Sequence, residues 1–410
     1  MKKFDIPAFY KSDSIGKIKE LRRLKDKLKR DFTPTFLDFG TVHIYLARHF
    51  GFCYGVENAV EIAYRTLDEN PDKRIYLLSE MIHNPDVNAD LLSRGVKFLM
   101  DTAGNKLADW NELTKEDVVI VPAFGTTLEL QEQLNQLGID PYKYDTTCPF
   151  VEKVWNRAAQ IGERGYTVIV HGKPNHEETR ATFSHSEVIT PTVVVKDLKQ
   201  AMQLAKYIKK EVDLAQFFEE FAGQYSEGFD PAIDLEKIGV VNQTTMLASE
   251  TQEISDYLKK EISTYYNLPE ADAEQRFANT RDTLCYATND NQQATYALLQ
   301  TPADLAVVVG GYNSSNTSHL VELCERKLQT YFIKSAESLH KDGSITHYDL
   351  HKKEEKTTSD FLNTTSEVPR ILLTSGASCP DTIMAEVLES LVGYFHNTTQ
   401  IDDVIQTIAD

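Results

Sequence analysis

GFCYGVENAVEIAYRTL (residues 51–67), with the RIYLLS that follows at 74–79, decides the fold. Val56, Ala59, Val60 and Ala63 fall at i, i+3, i+4 and i+7, the spacing of one apolar face of an α-helix. RIYLLS is a short, mostly apolar run and reads as a buried strand. A helix that feeds directly into a buried strand is half of a βα-alternating unit, and such units build parallel sheets.

The same pattern recurs twice further along. TTCPFVEKVWNRAAQIGERG (146–165) puts Val151, Val154, Trp155 and Ala158 on one face, ends at Gly165 and runs into YTVIVHG (166–172). LCYATNDNQQATYALLQ (284–300) is a looser helical stretch followed by DLAVVVGG (304–311). Each strand ends in a polar loop: SEMIHNP, HGKPNHEET and GGYNSSNTSH. His83 follows Cys53 by 30 residues, His176 follows Cys148 by 28 and Asn313 follows Cys285 by 28. A second helical stretch and another apolar strand come next in each unit: VVIVPAFGTT (118–127), IGVVNQTT (238–245) and RILLTSGAS (370–378). In parallel sheets ligand loops gather at the carboxyl ends of the strands.

The expected fold is therefore α/β, with three similar α/β domains in a pseudo-threefold arrangement around one central site. The expected boundaries are an N-terminal extension over 1–46, domains over 47–147, 148–284 and 285–392, and a tail over 393–410. The middle domain carries an extra stretch near 207–237, charged and aromatic, that reads as a helical insertion. KIKELRRLKDKLKR (17–30) reads as a solvated surface helix with Ile18, Leu21, Leu24 and Leu28 on one face. Its acidic residues, with Asp5 and Asp13 before it, argue against a transit peptide.

Composition narrows the function. The 410 residues carry a formal net charge of -19, and an acidic surface repels nucleic acid and anionic membranes alike. No run of about 18 apolar residues occurs, so no membrane span is expected and a cytoplasmic protein is. Plastid stroma comes into question only for a plant or algal source. The five cysteines, Cys53, Cys148, Cys285, Cys324 and Cys379, are an odd number in a long chain and make no disulfide framework.

Cys53, Cys148 and Cys285 each stand directly before the first helix of a unit. A lone cysteine is usually a small buried hydrophobe. Recurrence at one place in three units points instead to ligands, because a helix N-terminus stabilises the thiolate form that binds metal. Structural zinc sites draw on paired C-x-x-C or H-x-x-x-H spacings; no C-x-x-C occurs, and the one H-x-x-x-H, HYDLH at 347–351, contains none of the cysteines. Iron–sulfur clusters accept thiolates from distant parts of a chain, and three cysteines would leave one iron of a [4Fe-4S] cluster open to substrate. Cys324, in the amphipathic SHLVELCERKL, reads as structural, whereas Cys379 lies in the SGASCPD loop without counterparts in the other units.

GFCYGV, TTCPFVEKVW, NQTT, LCYAT, GGYNSSNTSHL and SGASCPD, in this order from about Ala47 to Leu391, resemble the 4-hydroxy-3-methylbut-2-enyl diphosphate reductase family. The extension, the insertion and the PAFG loop resemble its longer plant and cyanobacterial branch. The resemblance implies a three-domain fold around a central [4Fe-4S] cluster with an open iron site, held by Cys53, Cys148 and Cys285. It implies Glu178 of HEET as the acid that drives proton delivery and Thr244 of NQTT as holder of the substrate hydroxyl. His83, His176, Ser314, Ser315, Asn316 and Ser378 resemble the diphosphate ligands. In the short bacterial branch a histidine stands where this chain has Phe124, so one diphosphate contact is missing. The implied partners are an allylic diphosphate and an electron donor protein, ferredoxin or flavodoxin.

The implied reaction converts 4-hydroxy-3-methylbut-2-enyl diphosphate to isopentenyl and dimethylallyl diphosphates, the last step of the non-mevalonate isoprenoid pathway. It needs electrons, a Lewis acid for the departing oxygen and a proton source. The alternative is a redox-neutral, aconitase-like hydro-lyase that uses an open-iron cluster only as Lewis acid. A non-enzymatic cluster carrier is a third reading, in which the Ser, Asn and His loops would have no purpose. Plainer roles also exist for the motifs: HEET as the acidic first turn of a helix, and NSSNTSH as a cluster of helix caps.

Overall fold

The structure, a computed structural model, describes residues 4–278, 283 and 285–409. The expected end of the middle domain, residue 284, lies outside them. The described chain forms two compact units, Met1–Glu57 with His83–Val87 and Tyr286–Asp410, and Asn58–Ile82 with Asn88–Cys285.

The second unit holds two three-stranded parallel sheets. In one, Ile75–Leu77 lies between Lys97–Phe98 and Val118–Ile120. In the other, Thr167–His171 lies between Thr192–Val195 and Ile238–Asn242. The first unit repeats the order inside a five-stranded sheet, where Leu305–Val309 lies between Thr330–Ile333 and Arg370–Ser375, all parallel. His43–Leu46 adds a further parallel strand beyond Arg370–Ser375, and Thr35–Asp38 closes that edge antiparallel. Residues 35–46, read from the sequence as part of an extension, thus supply two strands of this sheet.

Each sheet therefore has its first strand at the centre, its second on one side and its third on the other. The helices Tyr54–Glu69, Pro149–Glu163 and Tyr286–Leu298 lead into the three central strands. Thr167–His171 and Leu305–Val309 are buried along their whole length. A strand covered by helices on both faces has no solvent side, which is why its sequence is a continuous apolar run rather than an alternation.

The stretch 207–237 is not the helical insertion its composition suggested. It makes single helical turns at Leu214–Gln216, Phe217–Glu220 and Asp234–Glu236, joined by loops. Its aromatic residues fold inward: Phe217 stacks on Phe221 and Phe229 with ring centroids 4.9 and 5.1 Å apart, and all three join the core formed by Val193, Val195 and Val240. The basic N-terminal helix runs over Asp13–Lys25, and the Ser12 Oγ caps it by accepting from the Ile15 N–H at 3.3 Å. Ile15 and Ile18 are buried and Leu21 partly so, whereas Leu24 and Leu28 are 58% and 72% exposed. The expected apolar face is thus shorter, because the helix ends at Lys25 and Leu28 lies beyond it. The C-terminal helix Ile401–Ala409 packs against this one and adds a Lys17–Asp402 ion pair at 3.3 Å. No helix among the described residues is long and apolar enough to cross a membrane.

Candidate functional site

In each repeat the loop after the central strand turns into a helix, and a polar side chain caps the turn. Asn84 Oδ1 accepts from the N–H groups of Asp86 and Val87 at 3.0 and 3.1 Å. His176 Nδ1 accepts from the Glu178 N–H at 3.2 Å, and Ser314 Oγ from the Thr317 N–H at 3.3 Å. With Nδ1 accepting, the neutral His176 ring carries its proton on Nε2 and offers a donor there. The capping reading of NSSNTSH holds for Ser314.

Glu178 stands in the first turn of the helix Glu177–Glu187, yet it is only 1% exposed. Its two carboxyl oxygens accept from Thr244: Oε1 from the backbone N–H, and Oε2 from the hydroxyl Oγ1 at 3.0 Å. Burial dominates and pushes the carboxyl up to about 7, while the two Thr244 hydrogen bonds pull the other way. A carboxyl that is half protonated near neutral pH and touches a hydroxyl has the chemistry to serve as a general acid with a relay attached. When Glu178 is protonated, its own O–H can donate to Thr244 Oγ1, and the threonine proton is then free to point onward.

Gln243, which the sequence did not single out, holds this loop in place. Its Oε1 accepts from the Lys173 N–H and from Thr179 Oγ1, each at 3.1 Å, and its Nε2 donates to Thr245 Oγ1 at 2.6 Å. Phe124 packs edge-on to His176, ring centroids 5.6 Å apart, and sets an apolar wall beside that ring.

In the first unit, four sequence-predicted residues meet through their loops. The Cys53 N–H donates to Ala377 O at 3.2 Å, the Ala377 N–H to Asn316 Oδ1 at 2.9 Å, and Ser378 Oγ to His83 O at 3.1 Å. Asn316 is buried, and its Nδ2 has no hydrogen-bond partner among the described residues. A buried amide donor left without an acceptor costs about 1–3 kcal/mol. An anion oxygen would satisfy it. Ser315 is buried in the first turn of the helix Ser315–Glu325. Thr317, also missed in the sequence, fills the space between the loops: a Cβ placed on Gly376 would lie 2.0 Å from its Oγ1. Only glycine allows that approach.

Cys53 and Cys148 are set alike. Each backbone N–H donates to an alanine carbonyl in the loop after a third strand, Ala377 and Ala123 respectively, the latter at 3.0 Å. Each carbonyl accepts from the first turn of the following helix, Cys53 from Glu57 at 2.9 Å and Cys148 from Val151 at 2.8 Å. Cys285 is buried directly before the helix Tyr286–Leu298. Among the described residues no three His, Cys, Asp or Glu side chains gather as ligands of one metal ion. The donor chemistry of three thiols at helix starts nevertheless suits a group that binds thiolates. Cys324 and Cys379 differ: both are fully buried, and burial pushes each thiol up to about 12. Cys379 belongs to the apolar core and not to the loop surface.

Three parallel α/β sheets of one topology, with cysteines at their helix starts and a buried acid in the second, define a repeat-built enzyme of the α/β class. The LytB protein family matches residues 44–392. 4-Hydroxy-3-methylbut-2-enyl diphosphate reductases of Cyanothece sp. and Microcystis aeruginosa are each 41% identical to it, over 86% and 94% of this chain and 84% and 90% of theirs. Two solved structures share the fold. One is of (E)-4-hydroxy-3-methyl-but-2-enyl diphosphate reductase (TM-score 0.51, 24% identity, 85% of this chain and 99% of that one). The other is the Plasmodium falciparum E-1-hydroxy-2-methyl-but-2-enyl-4-diphosphate reductase (TM-score 0.62, 22% identity, 87% and 90%). The chain belongs to the LytB, or 4-hydroxy-3-methylbut-2-enyl diphosphate reductase, family.

Proposed function

We propose that the protein reduces 4-hydroxy-3-methylbut-2-enyl diphosphate to isopentenyl and dimethylallyl diphosphates, with Cys53, Cys148 and Cys285 holding a [4Fe-4S] cluster that keeps one iron open. The observation that carries the reading is the buried Glu178–Thr244 pair. Replacing the allylic hydroxyl by hydrogen consumes two electrons and two protons and releases water. When bound, the cluster supplies the electrons and a Lewis-acidic iron.

The chain's own residues do the rest. Thr244 Oγ1 hydrogen-bonds the substrate hydroxyl and passes it a proton, which Glu178 replaces through Oε2. His176 donates from Nε2 to the diphosphate. Ser314, Ser315, Asn316 and Ser378 donate from hydroxyl and amide groups, and the N-terminal turn of Ser315–Glu325 adds backbone N–H groups, which favour anions. His83 completes the set. Phe124 excludes water beside His176, and the missing histidine contact falls to the hydroxyl and amide donors. An electron carrier protein, ferredoxin or flavodoxin, supplies the reducing equivalents.

The test is turnover by anaerobically purified protein with and without a reductant. Reductant-dependent formation of both isomeric products is expected. Turnover without reductant would favour the redox-neutral hydro-lyase, which nothing in the relatives' names supports.

A further inference from the structure

The first unit contains a cleft of about 280 Å³ that Cys53 helps to line. Lys19, Arg23, Lys29 and Arg48 line it too, against the acids Glu57, Asp290 and Asp381. Lys19 and Asp381 are paired at 2.6 Å. Three of the four cations precede residue 44, where the stretch shared with the family begins. They come from residues 17–30, which hold eight Lys and Arg against two acids in a chain whose formal net charge is -19. A segregated basic face is where so acidic a molecule can attract an acidic partner.

Two residues that line the cleft each keep one buried nitrogen without a hydrogen-bond partner among the described residues. Arg48 is only 7% exposed, and its Nε has no hydrogen-bond partner among the described residues. His49 Nε2 is likewise buried without one. Buried guanidinium donors are stable when an anion meets them, and the cleft's inventory of acids is smaller than its inventory of bases. The cations also spread from the buried Arg48 to Arg23, whose exposed side chain pairs with the equally exposed Glu20 at 2.8 Å and can exchange that partner in solvent, which suits an extended face better than a small ion.

We propose that this cleft is the docking site of an acidic electron carrier protein, whose carboxylates seat on Arg23 and Lys29 and whose cofactor is thereby brought to the Cys53 side of the cluster. The proposal rests on the reductase reading. The donor loses the electrons that the substrate gains, so no other co-reactant is needed.

The double variant R23E/K29E tests it, since neither residue belongs to the proposed catalytic or substrate-binding set. The probe is a plant-type [2Fe-2S] ferredoxin, titrated calorimetrically into oxidised holoenzyme at several salt concentrations, with its KM measured in turnover. The variant is expected to bind ferredoxin at least about tenfold more weakly, with a flatter salt dependence and a matching rise in KM. Iron content and turnover with a reduced viologen dye should be those of the wild type. Unchanged ferredoxin affinity overturns the docking site. So does a loss of inorganic phosphate binding in the variant with ferredoxin binding intact, which would make the cleft a small-anion site. If the wild type fails even with viologen, the reductase reading falls, while the titration still decides whether an acidic protein docks here.

Discussion

The loops after the second and third central strands occupy the same place in the repeat, and they carry different chemical groups. His176–Glu178 and Ser314–Asn316 both begin a helix, and His176 and Ser314 both accept an N–H from its first turn. The second loop buries a carboxyl that has been pushed up to about 7. The third presents hydroxyl and amide groups that do not titrate near neutral pH. A repeated βα unit offers the same position more than once, and under the proposed function the residue type placed there divides proton handling from anion holding.

The cysteines are what the repeats share, so breaking them should have the largest effect. Cys53→Ser, Cys148→Ser and Cys285→Ser should each lose the cluster and all activity, and Cys324→Ser should keep both. Iron and sulfide analysis of anaerobic preparations checks this, and a full cluster in any of the first three removes that residue from the ligand set.

Glu178→Gln attacks the second loop alone. It preserves shape and hydrogen bonding but not the transferable proton, so kcat should fall about 10²- to 10⁴-fold with little change in KM. A near wild-type kcat would reduce Glu178 to a helix-start residue. The pH dependence follows with a definite sign. Wild-type kcat should decline above pH 7 as Glu178 loses its proton, and the variant's residual rate should not. Stability moves the same way. A folded-state value of about 7 lies above the ordinary glutamic acid value of 4.5, so the folded protein holds a proton that the unfolded chain releases. This contribution is complete below pH 4.5 and is lost as pH rises to 7. It amounts to about 3 kcal/mol, to order of magnitude. Denaturant unfolding at pH 5 and pH 8 should show the wild type losing more stability than Glu178→Gln; equal losses would show that the carboxyl is not perturbed.

The third loop should answer differently. Asn316→Ala removes a buried donor for the substrate's anionic end, so KM should rise about 10- to 100-fold, the size of a hydrogen bond to a charged group, with kcat less affected. Diphosphate binding, measured as competitive inhibition by inorganic diphosphate, checks it; loss of kcat alone would assign Asn316 to holding the Cys53 loop through Ala377. The smallest effect is expected of Phe124→Ala, which frees the His176 ring. Loss of one edge-on ring contact, about 0.5–1.5 kcal/mol, should raise KM several-fold. No change would mean that His176 is held by its cap alone.

Much of this was legible in the sequence. Periodicity and apolar runs revealed the three repeats, because a helix face and a doubly covered strand each impose a pattern on consecutive residues. The cysteines Cys53, Cys148 and Cys285 stood out because they recur at one place in those units, whereas Glu178 and Thr244 were singled out by the family resemblance of their motifs. Tertiary structure alone decided the rest. That Glu178 touches Thr244 across 66 residues, and that burial then raises its pKa, depends on which loops lie beside each other at the strand ends. Gln243 and Thr317 carry no pattern of their own; their roles come from the neighbours packed around them. The aromatic residues of 207–237 looked helical by composition and are buried as a plug, since hydrophobic burial needs only area and not a regular backbone. The end of the basic helix at Lys25, short of Leu28, is likewise invisible to periodicity, which records the residues that would suit an apolar face and not whether a core exists to receive them.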